Sequence, residues 1–523
     1  MVNQKSSKIE IIIALVFVLI VLVPLLAIFW NILVPLFSFD FSAFATLADA
    51  RILNLFGRSL LLSVGVVICT TLVAFPFAFI FSNYSFRLKG ILFLFTLLPL
   101  FIPPYLSAIS WQYALGGEGW LRELLHLSTS TQIISGFGGS LFILTIWLFP
   151  LMMLFIYNAL RIGKSYLEAA KLHRTFWPRF KFVIVLTARH GIISGAILTF
   201  VLVFTNFSVP GALQLNVFPT EIFAQFGAFY NPGQAAVLSI PNLFIAILLA
   251  FLISYQFRQQ KRYALHGNSQ SFESLKGWET MGIYALFLVI IVILIVIPIA
   301  SLISRMGSPG VFIDAFVSTW PQWMNSFLFG LAGAVVVCGS AFFLALYSRN
   351  KPRIQQILMA ILLLPLFISG GLYAIGLIEV WNQPLFNGVI YGSSTMVVLS
   401  YFRFIPIGYF LISTAMLKLP IQYEEIGMLS GRKKRAMVSG IIFPLVKQSV
   451  FGGMLLVFIF CFSELDTAVL TYPPGMETIS VRIFSLLHYG THETVAALCL
   501  WQILIIIALV LVTGKWSVKV MGK

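Results

Sequence analysis

Leu97-Leu98-Pro99-Leu100-Phe101-Ile102 returns as Leu363-Leu364-Pro365-Leu366-Phe367-Ile368, 266 residues further along the chain. Ser59 is matched by Ser326 at nearly the same offset, 267. Two copies of one unit drift in offset in this way when loops gain or lose residues, and long-period similarity decides the architecture of a chain. The sequence therefore predicts two related halves.

The composition around this repeat is that of a membrane protein. Of the 523 residues, 60% are hydrophobic and only 10% are charged. About 20 consecutive apolar residues are needed for a helix to cross the hydrocarbon core. We predict twelve such spans, near residues 11–37, 57–82, 90–115, 134–160, 182–206, 236–257, 281–303, 325–348, 354–380, 392–416, 446–471 and 493–514.

The basic residues support this count and give an orientation. Lys and Arg accumulate in short cytoplasmic loops. With twelve spans and both termini in the cytoplasm, 27 basic residues fall on the cytoplasmic side and 5 on the external side, and Arg403 falls within a span. The net charge of +16 is then explained by anionic membrane lipid and an intracellular partner, without nucleic acid.

The predicted fold class is an all-α, polytopic membrane protein of about twelve transmembrane helices in two parallel six-helix repeats. Six spans per half make the copies enter the membrane in the same orientation, related by an axis along the membrane normal. We assign residues 1–257 to the first module, 258–280 to a polar cytoplasmic linker and 281–523 to the second module. Two such modules are expected to enclose a central path.

The longest basic cytoplasmic stretch of each half lies between its fourth and fifth spans. A Glu at the start of a short helix is favoured by the helix dipole, and small residues after it allow another protein to approach closely. The alternative is an interfacial helix with snorkelling basic residues. The occurrence of the same residue pattern in both halves favours a docking surface. The candidate residues are Glu168, Ala169, Ala170 and Arg174 in the first half, and Glu425, Ile426, Gly427 and Gly431 in the second.

These loops resemble the cytoplasmic signature of permease subunits of binding-protein-dependent ABC importers. Two such modules in one chain resemble the ferric-iron type, with thiamine, phosphonate and polyamine permeases as close relatives. In that family the loop is a coupling helix that binds the ATPase subunit. The second copy has the signature residues Gly431 and Pro444, whereas Arg174 and Thr187 occupy those positions in the first. Because glycine reaches backbone conformations that arginine avoids, we predict that the two halves couple unequally.

The resemblance implies a subunit of a bacterial inner-membrane transporter that is not itself an enzyme. Its expected partners are two copies of a cytoplasmic ATPase and a periplasmic or lipid-anchored substrate-binding protein. The chain has no Gly-x-x-x-x-Gly-Lys-Ser/Thr motif, so energy must come from another subunit or from an ion gradient. A gradient-driven secondary transporter is the alternative, although it would be expected to carry several ionisable residues within its spans. No resident cofactor or metal site is predicted.

Arg403 is the first candidate for the path. A charge within a span is costly and suggests a function, and residues 401–406 also resemble a stretch of the iron-type permeases. The alternative is a structural arginine that binds helix carbonyls freed by Pro406. Pro150 matches Pro406 at an offset of 256, so the first half has Trp147 where the second has Arg403.

Three further candidates lie at the ends of the two fifth spans, one in the first half and two in the second. Asn206 lies in the first half, and Glu464 and Asp466 lie in the segment that matches it at an offset of 258. Carboxylates suit a hard cation such as ferric iron, whereas helix capping at the external surface is the simpler interpretation. Ferric iron is the predicted cargo, and thiamine, phosphonates and polyamines are the alternatives.

The third and ninth spans are interrupted by proline and glycine. Irregular backbone at membrane depth is tolerated where it is buried or lines a cavity. These spans are predicted either to border the path or to be kinked packing helices. The residues are Pro99, Pro103, Pro104 and Pro365, with Gly370-Gly371.

Overall fold

Helices form almost all of the described chain. The computed structural model describes residues 8–37, 42–117, 119–126, 133–162, 184–229, 231–263, 273–274, 277–384, 393–417, 419–420, 422 and 434–521. The elements of the first half are α1 (Lys8–Phe37), α2 (Ser42–Ala45), a 3₁₀ turn (Thr46–Ala48), α3 (Ala50–Asn83), β1 (Tyr84–Ser85), α4 (Lys89–Phe101), α5 (Pro104–Leu115), α6 (Trp120–Leu124), α7 (Gly136–Ile162), α8 (Val185–Phe204), α9 (Ser208–Ala212), α10 (Phe218–Gly227), α11 (Pro232–Leu238) and α12 (Ile240–Tyr263).

The second half of the chain begins at the second short strand. Its elements are β2 (Glu273–Ser274), α13 (Gly277–Ile291), a π-helical turn (Val292–Val296), α14 (Ile297–Met306), α15 (Pro309–Ser318), α16 (Trp320–Ser348), α17 (Pro352–Leu363), a 3₁₀ turn (Leu364–Leu366), α18 (Gly370–Trp381), α19 (Ser394–Ser400), a 3₁₀ turn (Tyr401–Phe404), α20 (Ile405–Leu417), α21 (Lys434–Met437), a π-helical turn (Val438–Ile442), α22 (Phe443–Phe462), α23 (Ala468–Thr471), α24 (Ile479–Tyr489) and α25 (His492–Met521).

Length and apolar composition make the chain a polytopic membrane protein. Within the described ranges, nine helices are long and apolar enough to cross a membrane, and two bent pairs raise the number to eleven. A shorter apolar helix, Ile240–Gln256, stands where the sixth span is predicted. The exact count of twelve therefore stays a prediction.

The repeated Leu-Leu-Pro-Leu-Phe-Ile motif lies at two sharp bends. The chain bends by 94° between α4 and α5. It bends by 97° between α18 and the helical segment before it, which consists of α17 and the 3₁₀ turn. Proline lacks the N–H that a continuing helix needs and its ring clashes with the preceding turn, so Pro103 and Pro104 separate α4 from α5. In the second half the new helix begins at Gly370 after the extended residue Ser369. The irregular backbone predicted for both spans is thus confirmed.

Matched serines make the same contact in each half. The Phe218 N–H donates to Ser59 Oγ at 2.8 Å, and the Ile479 N–H donates to Ser326 Oγ at 2.7 Å. Ser59 thereby fixes the start of α10, and Ser326 fixes the start of α24. The internal repeat remains a prediction with which these contacts agree.

The first long helix of each half packs against the other half. A Cβ added at Gly376 of α18 would lie 2.2 Å from the carbonyl oxygen of Pro24 in α1, so only glycine allows the two helices to approach this closely. Reciprocally, the Trp120 indole N–H in α6 donates to Ser301 Oγ in α14 at 2.9 Å. The halves are interlocked and bury a shared core.

The described part of the predicted linker contains helical and extended residues. Helix α12 continues to Tyr263, beyond the predicted boundary at residue 257, and α13 begins at Gly277. Between them, Glu273–Ser274 pairs in parallel with Tyr84–Ser85 of the first half. The assigned module boundaries stay a prediction.

Candidate translocation site

The eight residues predicted to contact an ATPase lie outside the described part of the chain. The described helices end at Ile162 and Leu417 and resume at Val185 and Lys434 on either side of the two loops. The predicted roles therefore stay predictions for Glu168, Ala169, Ala170, Arg174, Glu425, Ile426, Gly427 and Gly431.

Arg403 forms a buried ion pair with Glu464. It lies in the 3₁₀ turn between α19 and α20, and its Nη1 donates to Glu464 Oε1 at 2.8 Å. The two side chains are only 8% and 10% exposed. A buried charge is tolerated when a counter-charge compensates for the lost hydration. Arg403 thus pairs with a carboxylate 61 residues away, not with the helix carbonyls that the structural alternative predicted.

Glu464 is held by further hydrogen bonds at the end of α22. Its Oε1 accepts from the Thr467 N–H at 2.9 Å and from Thr467 Oγ1 at 3.0 Å. Ser400 Oγ lies 3.3 Å from Thr467 Oγ1 and connects this group to α19. The carboxylate therefore caps the turn before α23 while it neutralises Arg403.

Asn206 makes the matching cap in the first half. Its Oδ1 accepts from the Val209 N–H at 3.0 Å, three residues ahead, as Glu464 does from Thr467. Asn206 is 7% exposed. Asn206 and Glu464 thus each cap the turn that follows them, and their role in the path stays a prediction.

Asp466 is a second carboxylate close to Glu464. It lies in the connection after α22, outside the candidate spans. Burial raises the pKa of Asp466 and the neighbouring Glu464 raises it as well, whereas Arg403 and Ser208 lower it.

Gly370 allows Arg403 and Asp466 to approach the broken helix. A Cβ at Gly370 would lie 2.2 Å from Arg403 Nη1 and 2.4 Å from Asp466 Cβ. The acidic side chain consequently lies next to the first residue of α18, where the helix dipole favours a negative charge. The bend in the second half therefore borders the charged cluster.

Some buried polar atoms near Arg403 have no hydrogen-bond partner among the described residues. Within the described residues, Arg403 Nε and the hydroxyls of Tyr373 and Tyr401 are buried and have no hydrogen-bond partner. Buried polar atoms normally have a partner in the protein, in water or in a ligand. The part of the chain that the structure describes holds no group of three His, Cys, Asp or Glu residues arranged to bind a metal ion.

Sequence reasoning gave no role to Ser400 or Thr467. Thr467 lies in the segment that matches the one around Asn206 at an offset of 258, whereas Ser400 carries no comparable signal. The four predicted path residues fall into one connected cluster, Arg403 with Glu464 and Asp466, and one matching site in the other half, Asn206.

The chain is similar in sequence to bacterial transport permeases. It is 31% identical over 261 residues to the inner membrane ABC transporter permease protein YdcU of Escherichia coli, an alignment that covers 44% of this chain and 82% of that protein. It is 23% identical over 446 residues to the Fe(3+)-transport system permease protein FbpB 2 of Haemophilus influenzae, covering 83% and 84%. It is also 26% identical over 255 residues to the putative 2-aminoethylphosphonate transport system permease protein PhnV of Salmonella paratyphi A, covering 46% and 93%. No family model matches the chain.

Proposed function

The chain belongs to the family of ABC transporter permeases, and from this premise we propose that it forms the translocation path of an ATP-driven importer of ferric iron. The observation that carries the cargo assignment is the alignment with the Fe(3+) permease over 83% of this chain. The Escherichia coli and Salmonella permeases align with 44% and 46% of it. The Fe(3+) permease matches most of this chain, whereas each of the other two matches less than half of it. This pattern supports a chain in which two permease modules are fused.

The charged cluster is compatible with a cationic cargo. Its ionised form contains one positive charge, Arg403, and two negative charges, Glu464 and Asp466. Arg403 is already paired with Glu464 at 2.8 Å, and we propose that the carboxylate of Asp466 faces the passing ion. Oxygen ligands suit a hard cation. A phosphonate, the alternative suggested by the Salmonella relative, would meet this negative charge unfavourably.

The proposed mechanism is alternating access, with both termini in the cytoplasm. A loaded substrate-binding protein docks outside, and two ATPase subunits bind the loops around Glu168 and Glu425 inside. Closure of the ATPase pair then moves the two modules relative to each other and opens the path outward. The chain itself performs no chemistry on the cargo.

Affinity purification of the tagged chain from its native membranes tests the assembly. We expect mass spectrometry to identify an ATPase subunit and a substrate-binding protein among the copurifying chains. The ligand of that binding protein then names the cargo, and ferric iron is the expected answer. A chain that purifies alone, and that moves solute in ATP-free vesicles under an ion gradient, would contradict the proposal in favour of a secondary transporter.

The coupling loops are tested by charge reversal in each half. Glu168→Lys and Glu425→Lys each replace the acidic residue that we expect at the start of a coupling helix. We expect unequal losses of transport-coupled ATPase activity, since the first loop has Arg174 where the second has Gly431. Glu168→Gln and Glu425→Gln serve as controls for charge loss alone. Equal losses would count against unequal coupling.

A further inference from the structure

A cavity of about 660 Å³ lies between the two halves of the chain. Residues of α1 in the first half and of α18 in the second form its walls, and Phe226 of α10 also lines it. Small-ligand sites are commonly cavities of about 300–1,000 Å³ at such interfaces, with a few polar groups that converge on the ligand. The volume is sufficient for a metal ion with its shell of water, since one water molecule takes up about 30 Å³.

Glu379 is the acidic side chain of this cavity. Its Oε2 accepts a hydrogen bond from Asn31 Nδ2 in α1, so the carboxylate also joins the two halves. Asn382 and Gln383 are further polar residues of the lining, and Gln383 Nε2 donates to the Glu379 carbonyl oxygen at 3.1 Å. Together these side chains offer carboxylate and amide oxygens, the donors that hard cations prefer.

No basic side chain compensates for Glu379 within the described residues. The cavity lining contains no Lys or Arg, and none of the ion pairs between described residues includes Glu379. A carboxylate that has lost part of its hydration is stabilised by a positive charge within about 4–6 Å. Arg403 supplies that charge to Glu464. Glu379 instead leaves a negative charge in the cavity that a bound cation would balance.

Helix α18 connects this cavity to the charged cluster around Arg403. Its first residue, Gly370, lies against Arg403 and Asp466. Glu379 lies nine residues later in the same helix, which is about 14 Å along the axis at about 1.5 Å per residue. With the proposed cytoplasmic N-terminus, α1 approaches the outer surface near Asn31. The cavity therefore lies towards the outside and the charged cluster lies deeper.

We propose that this cavity is an outer binding site for a hard metal cation, with Glu379 as its charged ligand and the amide oxygens of Asn382 and Gln383 as neutral ligands. The cation keeps part of its water, because these side chains do not supply the about six to eight oxygens that hard cations take. The site holds the ion released by the substrate-binding protein before it passes to the cluster around Arg403. This inference rests on the proposed function, since it assigns an entry site to the same path.

Terbium luminescence tests the site in the purified full-length chain. Tb³⁺ is a hard trivalent cation whose emission is sensitised by a nearby tryptophan, and Trp30 lines the cavity. Titration with terbium chloride is expected to give saturable emission that Trp30→Phe largely removes. Glu379→Gln should bind Tb³⁺ about tenfold more weakly, because the charge of the ligands sets the affinity. Glu379→Asp keeps the charge and should retain most of the affinity.

Asp314→Asn is the matched control for loss of a carboxylate. Asp314 is exposed in α15 and does not line the cavity, so this variant is expected to bind Tb³⁺ like the wild-type chain. Two results would overturn the site: emission that Trp30→Phe leaves unchanged, or equal affinities of the wild-type chain and Glu379→Gln.

A second variant covers the case in which Glu379→Gln does not fold. Asn382→Ala removes a neutral ligand and leaves the hydrogen bond between Asn31 and Glu379 in place. We expect it to weaken Tb³⁺ binding several-fold while the purified chain still elutes as one species. An unchanged affinity in Asn382→Ala would contradict the proposed ligand set.

A transport assay separates this inference from the cargo assignment. In vesicles with the ATPase and binding-protein partners, Glu379→Gln is expected to import ferric iron several-fold more slowly than Asp314→Asn. Equal import by the two variants would contradict an entry site at Glu379. If the wild-type vesicles import no ferric iron, the proposed cargo fails, and the terbium titration still decides whether the cavity binds a hard cation.

Discussion

The two halves of the chain carry the same backbone devices with different charges. In both, a side chain at the end of the fifth long helix caps the turn that follows it, at 3.0 Å in the first half and 2.9 Å in the second. The capping residue is neutral in the first half, Asn206, and acidic in the second, Glu464. By sequence offset, Trp147 and Ser208 are matched with Arg403 and Asp466.

The first half shows that this cap can be made without a charge. A cap needs only an acceptor oxygen, which asparagine supplies as well as glutamate. A buried ion pair is weak evidence for stability, since hydrophobic residues of similar volume often replace it without loss. We therefore propose that the charged residues of the second half serve the path, with the neutral residues of the first half as an internal control.

Loss of Arg403 alone is expected to have the largest effect. Arg403→Met leaves Glu464 buried without its counter-charge, which costs about 3–5 kcal/mol in the free energy of unfolding. The double variant Arg403→Met/Glu464→Gln removes both charges and keeps the acceptor for Thr467, so most of that stability should return. The free energy of unfolding of the single and the double variant is measured in detergent. A double variant no more stable than Arg403→Met would show that the charges support the fold itself.

Gly370→Ala is expected to have an intermediate effect. The added methyl group would lie 2.2 Å from Arg403 Nη1 and 2.4 Å from Asp466 Cβ, and such overpacking typically costs about 1–3 kcal/mol. The neighbouring Gly371→Ala is the matched control, because its methyl group would meet only Phe223, at 3.2 Å, and Leu470, at 4.0 Å. Thermal unfolding of the two variants compares them, and a larger loss for Gly371→Ala would contradict the account.

The cap in the neutral half is expected to contribute least. Asn206→Ala removes the acceptor for the Val209 N–H and should cost about 1 kcal/mol. Glu464→Ala at the equivalent position should cost more, since it also leaves Arg403 without its carboxylate. The difference between the two losses in the free energy of unfolding gives the contribution of the ion pair. Equal losses would mean that Glu464 acts only as a cap.

The sequence was sufficient for the fold class and for the identity of the charged residues. Hydrophobic runs mark the spans, and the Leu-Leu-Pro-Leu-Phe-Ile repeat marks both bends, because apolar length and proline act locally. The partner of Arg403 could not be predicted, since the ion pair joins residues 61 positions apart whose meeting depends on how α19 and α22 pack. The same holds for Gly376 against Pro24, a contact between halves that only tertiary structure creates.

The predicted fifth span of the second half is longer than the helix that forms there. Residues 446–471 were predicted as one span, but α22 ends at Phe462 and a turn places Glu464 and Asp466 inside the protein. Hydropathy averages over such a turn and cannot distinguish a buried cap from an exposed one. The ion pair within the protein makes this burial possible.

The most direct test of the account compares the wild-type chain with the neutral variant Arg403→Met/Glu464→Gln/Asp466→Asn, each reconstituted with its ATPase and binding-protein partners. The measurement is ATP-driven uptake of ferric iron into vesicles, alongside unfolding in detergent. We predict that the neutral variant folds with stability close to that of the wild type and no longer imports ferric iron. Uptake at the wild-type rate by the neutral variant would contradict the claim that the charges of the second half serve the path.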